Sequence, residues 1–66
     1  MDDFNKFIDE YEDDLIGNFL EAETEKDYNT IFGKWYKVYR DRGENNDISY
    51  LLFVYHLINW WFIIND

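Results

Sequence analysis

The sequence predicts an all-α domain of three helices, with a very apolar third helix and a homodimeric assembly. Three observations predict it. Apolar residues recur at spacings of three and four through two long segments, the period that gathers side chains on one helix face. A polar break, Glu44-Asn45-Asn46-Asp47, then separates these segments from a nearly unbroken apolar run. No proline interrupts any of the three. At 66 residues the chain is a single domain, 1–66.

The first segment runs from about Asp3 to Glu23. Phe4, Phe7, Ile8, Tyr11, Leu15, Phe19 and Leu20 form its apolar stripe. Asp2 or Asp3 can cap its start, and acids in a first turn suit the helix dipole. Gly17 interrupts the stripe at about 1 kcal/mol relative to Ala and reads as a kink or a close helix crossing.

The second segment runs from about Glu25 to Arg42. Thr24 and Asp27 approximate a capping box, with Asp in place of the usual Glu or Gln. Tyr28, Ile31, Phe32, Trp35, Val38 and Tyr39 make the stripe. Lys37, Arg40 and Arg42 lie towards the C-terminal end, where cations are favoured. Gly43 is placed as the residue just past the helix.

The third segment, Ile48 to Ile64, is apolar nearly all round, broken by Ser49, His56 and Asn59, with Asp47 as its N-cap. A helix apolar on every side is buried in a core, in an interface or in a membrane. A transmembrane helix would be at the short limit, with a His and an Asn inside it and no basic anchor at its flanks. Two strands, Leu51–Tyr55 and Trp60–Ile64, have suitable residues, but His56-Leu57-Ile58-Asn59 lacks turn chemistry. The preferred reading is a helix packed by the first two segments on one side and by a twin subunit on another.

The small size argues for that twin. A domain of this length buries only about 60% of its unfolded surface, and small scaffolds add disulfides, a metal or a subunit. The chain has no cysteine, and its lone His56 cannot build an imidazole metal site. It carries six Phe, six Tyr and three Trp, more large rings than one small core is expected to absorb. Leu52, Tyr55, Asn59, Trp60 and Ile63 are the candidate dimer residues.

The net charge of −9 is uneven. Residues 1–27 hold eleven acids against Lys6 and Lys26, which already accounts for −9. Residues 28–43 hold Lys34, Lys37, Arg40 and Arg42 against Asp41, a charge of +3, and residues 44–66 restore −3 through Glu44, Asp47 and Asp66. The negative field therefore belongs to the first helix. Its candidate partner-binding acids are Asp2, Asp3, Asp9, Glu10, Glu12, Asp13, Asp14 and Glu21. Positions four apart on a helix rise by about 6 Å, on the scale of phosphate spacing along a DNA strand. An acidic helix face more often serves only solvation. Here the density argues otherwise, because like charges four apart repel and mixed signs would serve solubility as well.

Other functions fare worse. Paired carboxylates do acid–base work only in a pocket that separates their pKa values, and a small helical unit offers little pocket. No calcium-loop spacing, phosphate-binding glycine loop or nucleophile–base motif occurs. His56 reads as a hydrogen-bonded core or interface histidine. Direct nucleic-acid binding is opposed by the field itself. Met1-Asp2-Asp3-Phe4 is not the start of a signal peptide, and the lack of cysteine fits the cytoplasm. The chain is read as a non-enzyme without cofactor or metal.

In its acidity, its lack of cysteine and its abundance of Asn, Asp and Tyr, spread over the acidic stretch 2–23 and the aromatic end 48–64, the chain resembles the small phage host-takeover proteins that mimic DNA. These include sliding-clamp inhibitors of staphylococcal phages, anti-restriction proteins, anti-CRISPR proteins and glycosylase inhibitors. The resemblance is one of composition, so no residue role is carried over. The chain has no Gln, and so no peptide of the Gln-x-x-hydrophobic-x-aromatic-aromatic kind that fills a clamp's peptide pocket. The resemblance implies instead an inhibitor whose acidic helix occupies the basic DNA-binding channel of a host protein, such as the sliding clamp, in the bacterial cytoplasm. The alternatives are an adaptor that binds through its aromatic face and a small membrane protein anchored by 48–64.

Overall fold

A computed structural model describes residues 2–42 and 48–65, without the side chain of Asp2. It contains three helices, α1 (Asp2–Glu21), α2 (Glu25–Asp41) and α3 (Tyr50–Ile64), and no strand among the described residues. The two-strand alternative for the third segment is therefore excluded. None of the helices is long and apolar enough to cross a membrane.

Local sequence explains the boundaries. The start of α2 carries the expected capping box. The Asp27 carboxylate accepts from the backbone N–H groups of Glu23 (3.0 Å) and Thr24 (3.2 Å), and Thr24 Oγ1 accepts from the Asp27 N–H (3.2 Å). Those backbone hydrogen bonds, the one from Glu23 first and then the one from Thr24, hold the Asp27 carboxyl below its ordinary value of 3.8. A carboxylate with a depressed native pKa stabilises the fold above its unfolded pKa, and that contribution is lost as pH falls through the native value. Asp27→Asn is therefore expected to lower the urea midpoint near neutrality. The gap from wild type should close in acid, where the native Asp27 is itself protonated. A gap of constant size across that range would refute this linkage. Thr24→Ala should cost about 1 kcal/mol near neutrality.

Two terminal expectations shift, and a third falls on residues outside those described. The first helix is described from Asp2, so Asp3 sits within its first turn, and what precedes Asp2 lies outside the described residues. The third helix begins two residues later than its apolar run, because Ser49 is the N-cap and its hydroxyl accepts from the Leu52 N–H at 3.2 Å. Ser49 supplies the same short acceptor as the expected Asp47, one position before the first helical residue. Asp47 and Gly43 lie outside the described residues, and Arg42 in αR conformation follows the last residue of α2.

The helices run up, down and up around one aromatic core. At one end Phe4 and Phe7 meet Tyr39 (6.2 and 5.1 Å between ring centroids) and Phe53 (6.1 and 5.8 Å). At the other, Phe19 lies 6.2 Å from Phe32 and stacks on Trp61 at 4.9 Å. Many of these pairs are edge-to-face, the geometry the ring quadrupole favours. The core absorbs more rings than the composition led us to expect. Phe4, Phe7, Phe19, Phe32, Trp35, Tyr39 and Phe53 are buried, and only Tyr50, Tyr55 and Phe62 are exposed. Polar tips find partners at the core's edge: Trp35 Nε1–H donates to Asn18 Oδ1 (3.0 Å), and the Tyr36 hydroxyl donates to the Ile48 carbonyl (2.9 Å).

Gly17 marks no crossing. A Cβ built there meets nothing within 4 Å, and the same holds at Gly33 in α2. Both glycines face solvent and weaken their helices entropically. Gly17→Ala and Gly33→Ala should each stabilise by about 1 kcal/mol. For a domain of this size that raises Tm by roughly 4–8 °C per substitution. A calorimetric Tm that does not rise in the double variant would contradict this.

Candidate functional site

The acids of α1 lie off its apolar stripe because the stripe holds the helix to α2 and α3. Phe4, Phe7, Ile8, Leu15 and Phe19 are buried, while Asp9, Glu10, Glu12, Asp13, Asp14 and Glu21 are exposed and Asp3 is half-buried. Leu20, assigned to the stripe by sequence, instead points outward and is 69% exposed. At about 100° per residue the acids divide into two rows. Asp3, Glu10, Asp14 and Glu21 form one, about 27 Å long at 1.5 Å per residue. Asp9 and Asp13 continue the line of Asp2 in the other, with Glu12 beside them. Lys6 sits between the rows near one end. The side chain of Asp2 lies outside the described residues.

The first row borders α2, and there the structure adds a contact that sequence did not anticipate. The Arg42 guanidinium, whose side chain is 13% exposed, pairs with the half-exposed Glu10 carboxylate. This is the one ion pair among the described residues, and it mutes one member of the predicted cluster. Two cations of α2 turn elsewhere. Lys34 Nζ lies 4.8 Å from the centroid of Trp35, and the Arg40 guanidinium donates to the Tyr36 hydroxyl at 2.8 Å. Asp9, Glu12, Asp13 and Asp14 thus present carboxylates to solvent without a described cation on them. A surface of this kind can attract a basic partner at long range and repel nucleic acid.

The second candidate surface is α3. Its inner face carries Phe53 and Leu57, both fully buried. Of the predicted dimer residues, Leu52 (46%), Tyr55 (63%) and Ile63 (67%) are exposed, and so is Asn59. Trp60 does not belong with them. It is half-buried against the core, 6.3 Å from Phe19. Two residues missed by sequence are among the most exposed apolar groups, Leu51 at 79% and Phe62 at 67%. The signal that could have found them is their spacing with Tyr55 and Ile58, hidden in a segment apolar on all sides.

Grooves flank α3 on both edges. One, of about 360 Å³, lies towards α2 and is walled by Phe19, Tyr28, Phe32, Ile58, Trp61 and Phe62, with Glu25 and Asn29 at its rim. The other, of about 230 Å³, lies towards α1 and is lined by Phe4, Ile8, Trp60 and Ile63 together with Asn5, His56 and Asn59. His56 is half-buried between the rings of Phe4 (5.6 Å) and Tyr55 (5.4 Å). Its imidazole has no hydrogen bond among the described residues, which leaves the interface form of the expected hydrogen-bonded core or interface histidine untested. No group of three or more His, Asp or Glu among the described residues is gathered to hold a metal ion. Comparison with known proteins finds no matching family model, no matching curated protein and no matching solved structure.

Proposed function

We propose that this protein is an inhibitor that mimics DNA. It places the acidic face of α1 in the basic DNA-binding channel of a host protein, such as the sliding clamp or a restriction or CRISPR effector, and blocks access of DNA. The observation that supports this reading most is the pair of carboxylate rows on one rigid helix. They stand clear of the core, and one ion pair among the described residues offsets them. Each carboxylate takes the place of a backbone phosphate, and the attraction is long-range and screened by salt. In this reading the protein acts as a homodimer in the bacterial cytoplasm, so that two acidic helices are presented by one two-fold assembly.

The test is capture from a bacterial lysate on immobilised protein at low salt, followed by stepwise salt elution. A DNA-binding protein released at moderate salt, and displaced by duplex DNA, is the expected result. Partners that persist at high salt and ignore competing DNA would overturn the reading.

One observation favours a second reading, the apolar exposure of α3. An adaptor that binds its target through Tyr55, Phe62 and Ile63 would show binding nearly insensitive to salt. It would lose its partner when those residues are changed and keep it when the acids are.

A further inference from the structure

The exposed side of α3 consists of two parallel stripes with different chemistry. Leu51, Tyr55, Ile58 and Phe62 follow one another at spacings of four, three and four, on the edge towards α2. Leu52, His56, Asn59 and Ile63 repeat the same spacing on the edge towards α1. The first stripe is apolar throughout. The second has two polar groups at its centre. No Asp, Glu, Lys or Arg occurs anywhere in α3.

A four-three-four stripe is symmetric about its midpoint. Turned end for end, it presents the same spacing, so a second copy can lie on it antiparallel with matching ridges and grooves. We infer that the Leu51–Tyr55–Ile58–Phe62 stripe is the seam of an antiparallel, two-fold homodimer. Leu51 of each copy packs against Phe62 of the other, at the mouth of the aromatic groove between α2 and α3.

Four features select a second copy as the occupant and this edge as its seat. The first is area. With Leu51 79%, Tyr55 63% and Phe62 67% exposed, and roughly 200 Å² for each such side chain fully exposed, the stripe itself offers on the order of 400 Å² of apolar surface, about half of the roughly 800 Å² per partner of a standard interface, and the walls of the aromatic groove beside Phe62 add to it. The second is charge. Two chains of −9 repel wherever like charges face each other, and α3 is a surface on which they can meet without doing so. On the α1 edge the second copy would approach the Asp9 and Glu12 side of α1, whereas the α2 edge lies away from both rows. The third is self-complementarity. The protruding Leu51 and the open groove of about 360 Å³ beside Phe62 lie about 16 Å apart along one helix, at the two ends of the stripe. The antiparallel pairing brings each to the other. The fourth is the rim of that groove. Glu25 comes to the N-terminal end of the second copy's α3, where a carboxylate is favoured by the helix dipole.

This inference rests on the two-copy part of the proposed function and not on DNA mimicry. The experiment needs no partner protein, so its failure leaves the acidic-face reading intact. Sedimentation equilibrium of the wild type at tens of micromolar should give twice 8.2 kDa. Leu51→Glu with Phe62→Glu should weaken the dimer at least a hundredfold. The control, Leu52→Glu with Ile63→Glu, lies on the other stripe and should leave the dissociation constant within tenfold of wild type. All four side chains are exposed, Leu52 the least at 46%, so helical circular dichroism should not change. A monomeric wild type overturns the inference. A dimer that survives the first pair and breaks with the second overturns the seam but not the dimer. Direction is read separately. The chain has no cysteine, so a mixture of Leu51→Cys and Phe62→Cys proteins can be oxidised without a background. The antiparallel seam yields mainly the mixed disulfide, and a predominance of like-with-like products overturns it.

Discussion

Phe53→Ala is expected to leave little or no folded protein at room temperature. The ring is fully buried at the point where all three helices meet. It lies 6.1 Å from Phe4, 5.8 Å from Phe7, 5.5 Å from Tyr36 and 5.4 Å from Tyr39. Truncating a buried Phe to Ala costs about 3–5 kcal/mol through lost transfer energy and the cavity left behind. A single core of this size rarely supplies more than about 3–5 kcal/mol in total. The two quantities are equal within their spread, so one substitution is enough to remove the fold. Urea titration followed by circular dichroism measures it. A loss under about 1.5 kcal/mol would mean that the rings repack around the vacancy. Phe62→Ala is the internal contrast: 67% of that ring is exposed, and its loss should scarcely change the intrinsic stability of one chain.

Asp13→Lys combined with Asp14→Lys should abolish capture of the basic partner while making the helix slightly more stable. Each replacement changes the charge by two units, so the chain goes from −9 to −5. Two acid–acid pairs at i,i+4, Asp9 with Asp13 and Glu10 with Asp14, become acid–lysine pairs of the favourable orientation. Each favourable pair contributes about 0.2–0.5 kcal/mol, and each repulsive pair removed adds a similar amount. Both positions are exposed, so no packing is lost. If the acids serve only solubility, the variant should bind as before. If they serve recognition, binding falls at least a hundredfold as Tm rises by a few degrees. Unchanged capture in this variant would sink the DNA-mimic proposal.

Much of the local architecture was legible in the residues because its causes are local. The Thr24/Asp27 box formed as read, since capping depends on a hydroxyl and a carboxylate three positions apart. The burial of Phe4, Phe7 and Leu15 followed from periodicity alone. Other readings failed where the deciding atoms were remote or equivalent. Ser49 and Asp47 are both good caps, and sequence had no means of choosing between them. Gly17 looked like a crossing point, yet the neighbouring helices approach α1 from other sides and leave it in open space. Glu10 looked like the other acids until Arg42, 32 positions away, folded onto it.

The third helix shows the boundary most clearly. Its sequence is apolar on every side, so its periodicity carries almost no information about which side is buried. That choice belongs to the tertiary structure. Phe53 and Leu57 face inward because Phe4, Phe7 and Tyr39 are packed against them from α1 and α2, and Trp60 follows them inward against Phe19. Leu51 and Phe62 remain outside because nothing among the described residues covers them. By itself, the sequence determined three helices and the concentration of negative charge on the first, because periodicity and charge are properties of single segments. Only the packing of the three together decided which acid is paired, which tryptophan is inside and which apolar stripe faces outward, because each depends on contacts between segments distant in sequence.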